Sequence, residues 1–285
     1  MITGINGFLG SHLAKHLKSL FEIIGLSSSL DNLFRIESEN FKIYASSEVS
    51  IEKLFRENDF YAVVHVATVY NSKSGLISDL LKSNVLLPVN LLEHCNKYGV
   101  NMFLNTDSFF NNPAYLYSYL PNYTLSKKHS LDWIKSLSKT SATRVVNMKV
   151  FHMYGENDAI SKFVPFLIER IKNNEAYLDL TLGEQTRDFV YVNDVVGAFE
   201  VVLLSFKKLH SYQEFEVGTG NMNSIKTLAT IIKRLTNSKT ELRFGVLEYR
   251  DGEIMKSVAN SIELKKLGWV CNYNLSEGLQ TYINN

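Results

Sequence analysis

The sequence predicts an α/β fold, a doubly wound parallel sheet with a smaller α/β lobe. Three observations predict it. Short apolar runs alternate with helix-period segments through the first half of the chain, the pattern of βαβ units. Three glycines, Gly4, Gly7 and Gly10, stand where the first strand turns into the first helix. Beyond Val150 the alternation becomes irregular, as expected where later segments build a second lobe. The chain has 285 residues, 45% apolar and 21% charged, enough for a full core and a smaller lobe.

Only Met1–Thr3 precede the first glycine, too few for a full central strand, so either this strand is a stub or the true start lies upstream. A helix over Gly10–Leu20 follows. Further strands are expected at Glu22–Leu26, Ala62–Ala67, Met102–Thr106 and Val145–Val150, with a weaker one at Lys42–Ala45. Between them lie helices at Ser50–Glu57, Ile77–Tyr98 and Tyr123–Ser138. Pro88 lacks a backbone donor and predicts a kink in the second of these. The later part reads as a helix at Lys162–Lys172, the segment Arg187–Val192, a helix at Asp194–Leu204, a strand at Glu214–Val217 and a helix at Ile225–Leu235.

The string Thr3-Gly4-Ile5-Asn6-Gly7-Phe8-Leu9-Gly10 spaces its glycines as G-x-x-G-x-x-G. Glycine permits the tight turn and lets backbone approach a pyrophosphate at the positive end of the helix. This reads as a dinucleotide site of the Rossmann type, with Phe8 and Leu9 in the glycine turn and Ala67 ending a neighbouring strand. An acid after the second strand would bind the ribose hydroxyls of NAD and repel the extra phosphate of NADP. Here the chain runs Leu26-Ser27-Ser28-Ser29, with no acid before Asp31 and with Arg35 beyond. Ser27 and Ser28 therefore favour NADP(H) over NAD. The expected division is a Rossmann domain over 1–155, joined by about 193–218, and a second lobe from 156–192 and 219–285.

Tyr123 and Lys127 lie one helical turn apart on a shared face. A tyrosine titrates near ~10, and a neighbouring ammonium is expected to lower that value and make the phenol a working acid. The strand before this helix ends in Asn105-Thr106-Asp107-Ser108. A hydroxyl there would hold a carbonyl oxygen beside the phenol. Counting along the strand favours Ser108, whereas the local string favours Thr106.

These residues resemble the extended short-chain dehydrogenases/reductases, also called the NAD-dependent epimerase/dehydratase family, whose members act on nucleotide-sugars. The likeness runs nearly end to end. Besides the glycines and the Tyr123/Lys127 pair it includes Val64-His65-Val66-Ala67, Phe151-His152-Met153-Tyr154-Gly155, Gly183-Glu184-Gln185-Thr186-Arg187-Asp188-Phe189, Arg250 and Leu267-Gly268-Trp269. The resemblance implies that His152 lines the sugar pocket and that Arg187 and Arg250 hold the substrate diphosphate, a task suited to forked guanidinium donors. The strings Phe103–Phe110 and Arg250–Asn260 resemble members that use NADPH to reduce the 4-keto group of CDP-4-dehydro-3,6-dideoxy-D-glucose, for lipopolysaccharide O-antigens. In that reaction Tyr123 supplies the proton. Departures are Lys149 in place of an arginine, the short first strand and the short segment between Ser108 and Tyr123.

Other features exclude or demote functions. A formal net charge of +1 gives no field for nucleic acid or anionic membrane, and no apolar run approaches a membrane span. No signal peptide is read at the first residues, and Cys95 and Cys271 read as buried reduced thiols, so the expected setting is cytoplasmic. His12 and His16 have zinc-like spacing without a third ligand, and His65 reads as a satisfied core histidine. The leucine-rich face of Ile77–Leu92 serves either the core or a homodimer of paired helices. Alternatives are a 4-ketoreductase that delivers hydride to the other face and forms the opposite C4 epimer, a 4-epimerase retaining NAD, a dehydratase, which Ser108 after Asp107 disfavours for want of an acid pair, and a redox-sensing regulator, which would lack the Tyr/Lys pair.

Overall fold

A computed structural model describes residues 1–46, 49–71, 75–112 and 119–285. In chain order the elements are β1 (Ile2–Thr3), α1 (Phe8–Leu17), β2 (Ile24–Ser27), β3 (Lys42–Ala45), α2 (Ile51–Glu57), β4 (Ala62–His65), α3 (Ile77–Leu81), α4 (Leu87–Lys97), β5 (Met102–Ser108), α5 (Pro121–Ser138) and β6 (Arg144–Val150). There follow β7 (His152–Tyr154), α6 (Phe163–Lys172), β8 (Tyr177–Leu180), β9 (Thr186–Arg187), β10 (Phe189–Tyr191), α7 (Val192–Leu204), β11 (Tyr212–Val217), β12 (Asn223–Ser224), α8 (Ile225–Leu235), β13 (Glu241–Phe244), α9 (Ile262–Lys266) and α10 (Leu275–Asn284). Seven strands form one sheet in the order β11-β6-β5-β4-β1-β2-β3. The ladders β3–β2–β1–β4–β5 are all parallel, and helices flank the sheet, the doubly wound arrangement that the alternation predicts.

The chain divides into two compact units. The first comprises Met1–Asn111, Tyr119–Lys149 and Phe199–Phe215; the second is built mainly from Val150–Ala198 and Glu216–Asn285. In the first unit, Ile24, Leu26, Val63, Phe103 and Val145 of the sheet pack with Leu54, Phe55, Leu91, Leu92, Cys95 and Ile134 of the helices. Strands buried on both faces explain why these runs read as continuously apolar in the sequence.

Pro88 does more than kink its helix. Between α3 and α4 the chain forms a π-helical turn, Lys82–Leu86, and Pro88 sits at the start of α4. A proline cannot donate to the carbonyl four residues earlier, here Asn84, and its ring crowds that position. The wider turn relieves the crowding and directs the Asn84 side chain inward, where it is 1% exposed. The same helical stretch buries Leu80, Val85, Leu91 and Leu92 but leaves Ile77, Leu81 and Leu86 exposed. Helix α5 starts from Leu120, held in the left-handed region (φ 56°), with Pro121 opening the helix.

The second unit is held by two buried carboxylates. Asp188, fully buried, accepts hydrogen bonds from the backbone N–H groups of Thr219, Gly220 and Ala259 and from the Thr219 hydroxyl. Asp194 accepts from Asn272 N, Tyr273 N and the Cys271 thiol, while the Trp269 indole donates to the Asp194 carbonyl. Cys271 is only half-buried, a correction to the expectation of two buried thiols. Short two- and three-residue pairings, β7 with β10 and β9 with β12, complete this unit and went unread in the sequence.

Removing the Asp188 carboxylate would leave three backbone donors buried without an acceptor, at about 1 kcal/mol or more each. Asp188→Ala is therefore expected to lower the unfolding free energy by at least about 3 kcal/mol, measured by urea denaturation. A loss below about 1 kcal/mol would contradict this account.

Candidate active site

The glycine turn brings the carboxyl ends of β1 and β4 together. Gly4 adopts φ +64°, and a Cβ there would lie 2.8 Å from the Ala67 α-carbon. At Gly10 a side chain would overlap the Gly4 carbonyl oxygen, so helix and turn pack backbone to backbone. Beside them the Thr3 hydroxyl hydrogen-bonds His65 Nδ1 at 2.9 Å and accepts the Ala67 N–H at 3.3 Å. Gly7 caps α1 with extended backbone, and no side chain satisfies the helix's first donors at Phe8, Leu9 and Gly10. This cradle, shaped by absent side chains and facing a helix N-terminus, fits a dinucleotide pyrophosphate.

The loop after β2 folds over the same turn through Asn6, a residue that sequence reading passed over. Asn6 Nδ2 donates to the Asn32 carbonyl at 2.7 Å, Asn6 Oδ1 accepts from Arg35 N, and Arg35 Nη1 donates to the Asn6 carbonyl, both at 3.2 Å. The Arg35 guanidinium lies 4.3 Å from the Phe34 ring centre. Ser27 ends β2 itself and donates to the Ser29 carbonyl at 2.7 Å; Ser29 in turn donates to Asp31. Ser28 is exposed.

Tyr123, Lys127, Ser108 and Thr106 come together at the end of β5 and the start of α5. Tyr123 is 4% exposed, and its ring stacks on that of Tyr70 with centres 4.6 Å apart. Lys127 is 5% exposed, and its Nζ donates to the Thr106 carbonyl at 2.9 Å. Ser108 Oγ accepts the Phe110 N–H at 3.3 Å, whereas Thr106 Oγ1 is buried with no hydrogen-bond partner. The segment 113–118, part of the short connection between Ser108 and Tyr123, lies outside the described residues.

The phenol's electrostatics correct one expectation. Burial, then Tyr70 and Asp107, push Tyr123 well above its ordinary value, and the Ser108 hydrogen bond only partly opposes this. The lysine ammonium is directed to a backbone carbonyl, so the residue one turn away does not make a phenolate. Tyr123 is held protonated. Burial also lowers Lys127 to about 8, with Asp107 opposing.

Asp107 points into a buried polar ladder. Its Oδ1 accepts Ser108 N and Asn111 Nδ2, both at 2.7 Å, and its Oδ2 accepts Asn147 Nδ2 at 3.0 Å. Asn147 in turn accepts Asn105 Nδ2 at 2.7 Å. His65 is pulled down to about 3 by burial and then Lys127, which makes it a neutral core residue whose Nε2 lacks a partner. His16 pairs with Glu200, and among the described residues no group of three or more His, Cys, Asp or Glu side chains could hold a metal.

In the second unit Arg187 is 7% exposed and forms an ion pair with Glu253, with further bonds to the Ile254 and Thr186 carbonyls. A turn in which Glu253 N donates to the Arg250 carbonyl places exposed Arg250 next to that pair in sequence. His152, on β7, is held neutral by burial and then by Arg187, at about 3.

A parallel sheet with a glycine cradle and a buried Tyr/Lys pair defines a Rossmann protein equipped to bind a nicotinamide dinucleotide. Comparison with known proteins specifies this further. Residues 1–218 match the NAD dependent epimerase/dehydratase family, and the chain belongs to that family. It is 32% identical to the CDP-abequose synthase of Salmonella typhimurium, over 98% of this chain and 95% of that protein. Against the CDP-abequose synthase of Salmonella muenchen it is 34% identical, covering 100% and 96%. In fold it is similar to the UDP-glucuronic acid 4-epimerase of Bacillus cereus, solved with UDP-glucuronic acid and NAD, at a TM-score of 0.84 and 19% identity over 99% and 97% of the two chains.

Lys127 allows a test that needs no substrate. Its folded value lies below the unfolded ~10.4, so between those values the unfolded chain holds the extra proton and stability rises with pH. From pH about 8 to about 10 the wild-type protein is expected to gain on the order of 2 kcal/mol relative to Lys127→Met, read from paired denaturation curves. A constant difference across that window would show that the ammonium is not desolvated.

Proposed function

We propose that this chain reduces the 4-keto group of CDP-4-dehydro-3,6-dideoxy-D-glucose to CDP-abequose, using NADPH. The observation that carries the chemistry is the buried, protonated Tyr123 phenol; the choice of substrate draws on the two Salmonella relatives, alike over nearly their whole length. A bound reduced nicotinamide would supply the hydride. Gly4, Gly7, Phe8, Leu9, Gly10 and Ala67 cradle the dinucleotide. Lys127 orients its ribose from the Thr106 carbonyl. Tyr123 releases its proton to the sugar oxygen as negative charge develops there.

Ser108 holds that oxygen, because it already touches the phenol. Thr106 is the second reading, favoured by a buried hydroxyl that bonds nothing. A dehydratase fits less well, since both Asp107 oxygens are committed to N–H donors. In the second unit His152 lines the sugar pocket, and Arg187 and Arg250 take the diphosphate once Glu253 yields. The exposed Leu86, Leu125 and Trp133, on and beside α4 and α5, suit a homodimer of paired helices. No helix among the described residues is long and apolar enough to cross a membrane, which accords with a cytoplasmic enzyme.

The direct test mixes purified protein with NADPH and CDP-, dTDP-, UDP- and GDP-linked 4-keto sugars, following loss of reduced-nicotinamide absorbance. Oxidation with the CDP sugar and release of CDP-abequose is expected; no turnover with any of them overturns the reading.

Three variants and a cofactor comparison refine it. Tyr123→Phe is expected to lose at least about 100-fold in kcat while still binding NADPH. Ser108→Ala should lose more kcat than Thr106→Ala, because the true holder's bond strengthens as charge develops; the reverse order transfers the role to Thr106.

With Ser27, Ser28 and Arg35 beside the glycine turn, NADPH should exceed NADH by at least about tenfold in kcat/KM, roughly 1.4 kcal/mol. Equal rates with the two would refute the NADPH preference.

A further inference from the structure

We infer that Tyr70 is a second phenol of the proton-transfer site, which reprotonates Tyr123 after each reduction and is itself reprotonated by water. The inference rests on the reading of Tyr123 as proton donor. The Tyr70 and Tyr123 rings stack with centres 4.6 Å apart and planes 28° from parallel, and after burial Tyr70 is the largest influence raising the Tyr123 phenol. Phe110 stands edge-on to the Tyr123 ring at 6.3 Å. Tyr123 is buried, while Tyr70 is only partly so and is open to exchange with water.

The backbone around Tyr70 is fixed for this task. Asn84 Oδ1 accepts the Val69 N–H and Asn84 Nδ2 donates to the Val69 carbonyl, both at 2.8 Å. The same Nδ2 donates to Ser126 Oγ at 3.0 Å, and Ser126 donates to the Tyr123 carbonyl at 2.7 Å. One amide, turned inward by the π-helical turn, thus anchors the chain next to Tyr70 and the helix that carries Tyr123. Tyr70 also disfavours charge on Tyr123, so a phenolate left there is driven to recover a proton. Among the described residues, Asp107, from β5, is the other ionisable group that acts on Tyr123.

The sequence of transfers balances. Hydride forms the new C–H bond and reduces the carbonyl carbon. The Tyr123 O–H breaks as the sugar O–H forms, the Tyr70 O–H breaks as that of Tyr123 is restored, and water reprotonates Tyr70, leaving hydroxide in solvent.

Tyr70→Phe keeps the ring and removes the hydroxyl; Tyr70→Leu removes both. In Tyr70→Phe, steady-state kcat should fall about tenfold with a larger solvent deuterium isotope effect, while single-turnover hydride transfer and both KM values stay within about twofold. The first turnover is spared because Tyr123 starts protonated. Wild-type kcat in Tyr70→Phe, or a loss confined to Tyr70→Leu, would show that only the ring matters and overturn the inference. A second readout needs no substrate: in tyrosine-labelled protein at neutral pH, the Tyr123 13Cζ resonance should move in Tyr70→Phe as the neighbouring hydroxyl is lost. If the wild-type protein reduces no 4-keto sugar, the functional reading falls, and this resonance alone decides the pairing: an unmoved signal overturns it and a moved one sustains it.

Discussion

At Gly4 two backbones meet with no room for a side chain between them. The residue takes a left-handed conformation, and its α-carbon approaches Ala67 so closely that even a methyl group would collide. That contact fixes the turn after β1 against the end of β4, and much of the first unit is positioned from it. On one side it sets the start of α1, which packs on the Gly4 carbonyl through Gly10, and through Asn6 it holds the loop carrying Arg35. On the other side the chain runs from Ala67 to Val69, is gripped by Asn84, and delivers Tyr70 to Tyr123. The glycine cradle and the buried phenol are thus two ends of one connected path.

Burial governs the chemistry along this path. Tyr123, Lys127, Asp107, Asn105 and Asn147 are all nearly sealed from water, and such groups are costly unless they find partners. The amide–carboxylate ladder answers that cost for Asp107. For Tyr123 the answer is to stay neutral, and for Lys127 it is a backbone carbonyl and a lowered proton affinity. Thr106 Oγ1 stands apart as a buried hydroxyl with nothing to bond.

The parallel sheet was legible because its strands are buried on both faces and its glycines stand at a fixed spacing from the first strand. Ser27 was placed in a loop and proved to end β2, an error of the size that fraying element ends produce. The π-helical turn was invisible because hydrophobic periodicity does not separate it from an α-helix, although Pro88 marked the place. Strands of two or three residues, such as β9 and β12, carry no readable period. At the site, Tyr123 and Lys127 were legible because helical spacing brings them together. Asn6, Asn84 and Tyr70 were not recognised as parts of it, since they act through contacts between elements far apart in sequence. The direction of the Tyr123 shift was misread for the same reason. Spacing shows which residues are neighbours, but only the fold shows where an ammonium points and how deeply a phenol is buried.

The Arg187–Glu253 pair bears on selectivity. An anion that reaches this guanidinium must compete with a carboxylate tethered by the chain itself, so the resident group is present at a high effective concentration. The net gain is the difference between two anions. A singly charged metabolite is no better than the incumbent and gains nothing, whereas two linked phosphates can replace the lost charge and add a second contact. On the proposed reading, the internal carboxylate would act as a threshold that small anions do not pass and a ligand of greater charge does.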